Sequence, residues 1–200
     1  MTVESAADWT WFFQRLSGYW GVQSWWPADS AFEVMVGAIL TQNTAWTNVE
    51  KAIARLRAAN LLTAPAILAA EAAALEDCLR PAGYFRIKTR RLRALVQFLQ
   101  DQGCAEKPEN LAKELSASEF RPRLLAVHGV GEETADSILL YALDLPVMVV
   151  DTYTRRIASR LGWVAPDISY AALQGTIEVQ LPPDDVVRRK ELHALLVQKS

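Results

Sequence analysis

Residues 124–160 read LLAVHGVGEETADSILLYALDLPVMVVDTYTRRIASR. The pattern is an apolar helix end, a Gly-Val-Gly hairpin, a second helix, a short apolar crossing and then Asp151 at the start of another helix. Gly129 and Gly131 tolerate backbone angles that disfavour other residues. A glycine hairpin between two helices presents backbone N–H groups at the start of the second one, and such termini bind anions, phosphate included. Thr134 and Ala135 are small and permit close packing just after the turn. These glycines alone read equally well as a plain interhelical turn. Asp151 alone reads first as a helix cap. Its setting, after Val147–Val150 and before Thr152 and Tyr153, also suits a partly desolvated carboxylate that acts on a developing cation.

Around this stretch, 200 residues at 51% hydrophobic content predict one domain or one unit of two lobes with a sizeable core. A net charge of −2 argues against a generally basic nucleic-acid coat but leaves room for a local basic patch. The two cysteines, Cys78 and Cys104, are too few for a four-cysteine zinc or iron–sulfur site and read as free thiols in a reducing compartment. No apolar run is long enough to span a membrane, and MTVESAADW lacks the pattern of a secretory signal, so a cytoplasmic protein is expected.

Helical spacing predicts helices over 6–16, 31–40, 45–58, 84–100, 117–127, 167–179 and 184–197. Helix 31–40, AFEVMVGAIL, is apolar on nearly every side and is expected to be central and buried. No alternating run supports a sheet, and the fold is read as all-α. The long helix opens with RIKTRRLR, residues 86–93, in which five of eight residues are basic. Lys88 and Arg91 are the candidate phosphate contacts there, although a solvated helix face carries such charges too. His128 is either a phosphate contact or a structural histidine, and His193 gives no signal.

Taken together, HGVGEETADSILLYA…VMVVDTYTRRIASRLG, WWPADSAFEVMVGAILTQNTAWTNVEKAI and LRPAGYFRIKTRRL resemble the helix–hairpin–helix (HhH-GPD) DNA glycosylase superfamily over most of the chain. The likeness is to its endonuclease III-like members, and within them to the 3-methyladenine DNA glycosylase III branch. The resemblance implies two helical lobes with a cleft between them, residues 1–29 with 143–200 and residues 30–142. It implies double-stranded DNA with a damaged base as partner, and a base flipped out of the duplex. Asp151 matches the catalytic carboxylate. The hairpin residues His128, Gly129, Val130, Gly131 and Thr134 match the DNA-backbone contacts. Gln42, otherwise a loop amide, matches the residue that fills the space of the flipped nucleotide. Trp25, Trp26 and Trp46 fall in segments that line the base pocket, whereas tryptophans in general are core residues. Lys199 matches a lysine near that pocket but stands at the chain end, where fraying is expected. A monovalent cation at the carbonyls of Leu125, Val127 and Val130 is also implied.

Two departures from the family pattern carry expectations of their own. Bifunctional members have a lysine in the second helix of the hairpin, and this chain has Glu133 there. A carboxylate cannot form an imine, so base release without strand cleavage is expected. The cysteines that hold an iron–sulfur cluster in endonuclease III are missing from the C-terminal segment, so no cluster is expected. The reading is therefore a monofunctional glycosylase for alkylated purines, expected to be a monomer. The competing readings are an endonuclease III-like glycosylase and lyase for oxidised pyrimidines, and a non-catalytic DNA-binding module.

Overall fold

A computed structural model of the chain describes residues 7–113 and 115–198, and all regular structure among them is helical. The chain divides into two units, Met1–Pro27 with Asp144–Ser200, and Ala28–Leu143.

The second unit is built on α2 (Ala31–Leu40), in which every residue from Phe32 to Leu40 is buried. Ser30 caps it by accepting from the Glu33 N–H at 3.2 Å. Glu33 is itself buried and is neutralised by Arg57 at 2.8 Å, on α3 (Trp46–Ala58). Two short helices follow, α4 (Ala64–Ala69) and α5 (Ala72–Leu79), and then α6 (Phe85–Asp101). Leu92, Leu95, Val96 and Leu99 form the buried face of α6. α7 (Ala117–Leu125) begins with a reciprocal Ser116–Glu119 capping box. The hairpin leads to α8 (Glu132–Ser137), which continues as one π-helical turn, Ile138–Ala142. A buried ion pair ties the two arms of the hairpin together: Arg121 on α7 donates from Nε and NH2 to the two oxygens of Asp136 on α8, at 2.6 and 3.0 Å.

The first unit joins the chain's beginning to its end. α1 (Trp9–Trp20) is capped by Asp8 and runs through Gly18 to a stop at Gly21, later at both ends than its apolar spacing predicts. Gln180 holds its start, accepting from the Trp9 N–H at 2.9 Å and donating to the Ala7 carbonyl at 2.8 Å. Trp9 is fully buried among Met148, Val150, Leu173, Ile177 and Leu192, and its ring meets Trp163 edge-on at 5.0 Å. The remaining helices are α9 (Thr152–Arg160), α10 (Tyr170–Glu178) and α11 (Val186–Gln198).

The crossing Val147–Val150 is extended and buried, yet it pairs with no strand. Buried backbone polar groups need partners, and one face of α10 supplies them. Glu178 accepts from the Met148 N–H at 2.8 Å, Gln174 donates to the Met148 carbonyl at 2.7 Å, and the Tyr170 hydroxyl accepts from the Val150 N–H at 3.2 Å. These three residues recur every four positions along α10, so a single helical stripe fixes the backbone that delivers Asp151. Removing one partner leaves a desolvated backbone group. Glu178→Leu is expected to cost about 1–3 kcal/mol, read as a lowered midpoint in urea unfolding. An unchanged midpoint would show that the crossing holds itself.

Candidate functional site

The hairpin is shaped by contacts within the second unit. Gly129 has φ of +83°, the left-handed region that favours glycine. A side chain there would also collide with Arg91, because an added Cβ would stand 2.2 Å from Arg91 Cγ and 2.6 Å from Cδ. Arg91 thus crosses the bare glycine and donates from NH1 to Gln42 Oε1 at 2.5 Å. The other end of the Gln42 amide donates to the Gly129 carbonyl and to Thr134 Oγ1, each at 3.0 Å. Arg91, Gln42, Gly129 and Thr134 are therefore one network that clamps the turn between α6 and the loop that follows α2. Gly131 differs from the expectation of unusual backbone: its φ of −96° is ordinary extended geometry. Val127 and Val130 are buried and close the turn with a Val130 N–H to Val127 carbonyl bond of 3.0 Å, while His128 is exposed.

Asp151 lies in the first unit as the N-cap of α9 and is 9% exposed. Its Oδ1 accepts from both the Thr154 N–H and the Thr154 hydroxyl, each at 2.7 Å. Thr154 is fully buried, so this pair of bonds fixes the carboxylate's orientation. Oδ2 stands 3.9 Å from His193 Nε2 on α11. His193 is buried too, and burial lowers its pKa while the charge of Asp151 opposes that shift. The arrangement offers one anchored oxygen and one oxygen aimed toward a neutral imidazole. Such a carboxylate can stabilise a positive charge and accept a proton from water.

Residues 36–183 match the family described as HhH-GPD superfamily base excision DNA repair protein. The chain belongs to this family. It is 43% identical over 187 residues to "Putative DNA repair glycosylase MJ1434" of Methanocaldococcus jannaschii, covering 93% of this chain and 84% of that protein. With endonuclease III of Thermotoga maritima it shares 30% identity over 159 residues, 78% of this chain and 67% of that one. Among solved structures it is similar to Helicobacter pylori 3-methyladenine DNA glycosylase (MagIII) bound to 1,N6-ethenoadenine, with a TM-score of 0.81 and 27% identity over 96% of both chains. A trapped endonuclease III–DNA covalent intermediate shares the fold, with a TM-score of 0.78, 22% identity and coverage of 96% of this chain and 85% of that one. An HhH-GPD base excision repair glycosylase is thus the protein's class.

Within this HhH-GPD chain, the basic run 86–93 is less of a phosphate surface than its composition predicts. Lys88 is the clearest correction. It is 1% exposed, and its ammonium donates to the carbonyls of Leu40 at 2.8 Å and Ala82 at 2.7 Å. Lys88, Leu92, Leu95 and Leu99 share one helical stripe, and that spacing placed the lysine indoors. Arg91 serves the network above, and Arg93 donates to the Ala70 carbonyl, leaving Arg86 and Arg90 as the exposed cations of the run. Gln42 braces the hairpin, and reaching into a duplex would require the release of its three hydrogen bonds.

The tryptophans are divided between the units. Trp25 and Trp26 are half-buried neighbours in the first, with ring centroids 5.9 Å apart. Trp46 is half-buried in the second and donates from its indole to Glu50 Oε1 at 3.0 Å, so it is not the core residue its spacing also allowed. Glu133 is exposed in the first turn of α8. Lys199 lies outside the described residues. His193 was not singled out by sequence reasoning. A histidine among apolar helix positions gives no sign of its partner when that partner is 42 residues away.

Two measurements test this geometry. Gly129→Ala combines left-handed strain of about 1–2 kcal/mol with the collision against Arg91, and it should lower both thermal stability and DNA affinity. Lys88 has its pKa lowered to about 8 by burial and by the neighbouring Arg91 charge. The unfolded chain therefore binds more protons than the native one between about pH 8 and 10.5. Stability relative to Lys88→Met should be level below that window and rise through it, with a limiting slope of ~1.4 kcal/mol per pH unit. A difference that falls or stays flat there would contradict a buried ammonium.

Proposed function

We propose that the chain is a monofunctional DNA N-glycosylase that releases alkylated purines and leaves an abasic site in an uncut strand. The observation that carries this reading is Asp151, held by Thr154 through one oxygen and buried, with its second oxygen pointed away from the cap. As the N-glycosidic bond lengthens, the sugar gains positive charge, and a desolvated carboxylate lowers the energy of that state more than of the neutral nucleotide. The departing base takes the bonding pair, and water supplies the new oxygen.

Glu133 supports release without cleavage. It occupies the position where bifunctional relatives place their lysine, and it offers no amine for a Schiff base. The preference for alkylated purines rests on likeness to a glycosylase named for 3-methyladenine and solved with ethenoadenine, together with the partly exposed rings of Trp25, Trp26 and Trp46. Electron-rich faces favour electron-poor, often cationic bases. For the backbone, the hairpin from His128 to Gly131 and the exposed Arg86 and Arg90 are the phosphate contacts. A monovalent cation at the carbonyls of Leu125, Val127 and Val130 suits the hard oxygen donors of that turn.

The identity shared with endonuclease III favours a second reading, oxidised pyrimidines with strand cleavage. Duplexes carrying 3-methyladenine, ethenoadenine, thymine glycol or uracil separate the two. The expected products are a released alkylated purine and a strand that breaks only on alkali treatment. Borohydride trapping of the protein on abasic DNA would instead establish the lyase. Asp151→Asn should slow release by about 100-fold or more, and full activity in that variant would remove the carboxylate from the chemistry. Affinity should fall steeply with salt, and Arg90→Gln should reduce the slope of log K against log salt by about one.

A further inference from the structure

The second oxygen of Asp151 and the imidazole of His193 form a feature that a helix cap does not require. The cap is complete at Oδ1, where Thr154 supplies both donors. Oδ2 and His193 Nε2 are 3.9 Å apart, too far for a direct hydrogen bond. One water about 2.8 Å from each would bond to both at once. The two groups are 9% and 6% exposed, so they approach one another largely out of bulk solvent.

The neighbouring charged side chains of α11 have partners of their own. Arg189 donates to the carbonyls of Pro182 and Asp185, and Lys190 pairs with Asp144. Glu191 accepts from the backbone of Gln23 and Ser24. Asp151 supplies the field that acts on the ring, and burial holds the imidazole toward its neutral form. A neutral ring preserves the negative charge that the sugar requires and can still hydrogen-bond water.

We infer that His193 Nε2 and Asp151 Oδ2 together hold the water that attacks the sugar, which makes His193 a second catalytic residue. This rests on the glycosylase reading above. In the step, the water oxygen forms a bond to C1′ and the N-glycosidic bond breaks with its electron pair going to the base. One water proton passes to Asp151 Oδ2 and from there to solvent. His193 orients the water so that a lone pair faces C1′. The carboxylate alone can accept the proton, but it cannot set that orientation by itself.

The test is single-turnover release from a 3-methyladenine duplex in buffer with added methanol, scored for rate and for the ratio of methyl glycoside to abasic sugar. His193→Phe keeps the ring volume without a polar edge. It should slow release about 100-fold and raise the methyl glycoside ratio, because methanol no longer competes with a seated water. His193→Gln should recover part of both. If His193→Phe does not show a cooperative thermal transition, His193→Asn, polar but shorter, takes its place beside Gln. A wild-type rate, or a slower rate with an unchanged ratio, overturns the water seat and leaves His193 with a packing role. Asp151→Asn run in parallel separates the two levels. Inactive Asp151→Asn beside fully active His193→Phe removes this inference alone, active Asp151→Asn removes the carboxylate from the chemistry, and no base release by the unaltered protein removes the glycosylase reading.

Discussion

Two hydrogen bonds from one residue fix the Asp151 carboxylate on which the proposed chemistry depends. Thr154 donates its N–H and its hydroxyl to the same oxygen of Asp151, and being wholly buried it cannot offer them elsewhere. A carboxylate with one such bond would retain rotation about its side chain, and with two on Oδ1 it does not. The cap thus performs two tasks with one side chain. It satisfies an N–H at the start of α9, and it leaves Oδ2 outside the cap for the proposed reaction. The backbone before Asp151 is equally constrained, because Tyr170, Gln174 and Glu178 hold the extended crossing at three points. Preorganisation of this kind requires no reorganisation at the moment of reaction, which is the condition under which a fixed charge is most effective.

The hairpin follows a different logic. Its shape depends on an absence, the missing side chain of Gly129, and on the residue that occupies the space. Arg91 crosses the glycine, and its charge is used to hold the Gln42 amide, which in turn holds the Gly129 carbonyl. An arginine in a DNA-binding protein invites a phosphate assignment, yet here much of its hydrogen-bonding capacity is spent inside the fold. The ion pair of Arg121 with Asp136 repeats the pattern at the base of the same turn. The overall charge of −2 is consistent with this use of cations as internal braces. In the proposed complex, contact with a polyanion falls to backbone N–H groups and a few exposed arginines.

What was legible in the sequence follows from how local each signal is. The all-helical fold and the buried α2 could be read directly, because nine consecutive apolar or small positions with one acid leave no solvent face. The hairpin and Asp151 could be found because glycine acts on its own backbone and a capping aspartate on the backbone three residues ahead. For Lys88 composition and register disagree: counting cations hides the fact that i, i+4, i+7 and i+11 from Lys88 is the core stripe of α6. The α10 stripe and His193 could not be read at all. Their partners are distant in sequence, and nothing about Gln174 or His193 in isolation distinguishes a backbone clamp or a carboxylate neighbour from a surface residue.

Glu133 on α8 and His193 on α11 bear on the same proposed step. On the proposed mechanism, a lysine at position 133 would offer an amine nucleophile in place of water. Glu133 offers no amine, and on that proposal hydrolysis falls to the Asp151 carboxylate. A carboxylate working with water has a requirement that an amine nucleophile does not: the water must be held, not merely admitted. A charged partner would hold it but would cancel the field of Asp151 at the sugar. A buried imidazole resolves the conflict, since burial disfavours its cation while its ring nitrogens retain their hydrogen bonds. The absence of an amine at position 133 and the buried histidine beside Oδ2 each fit the proposed hydrolysis.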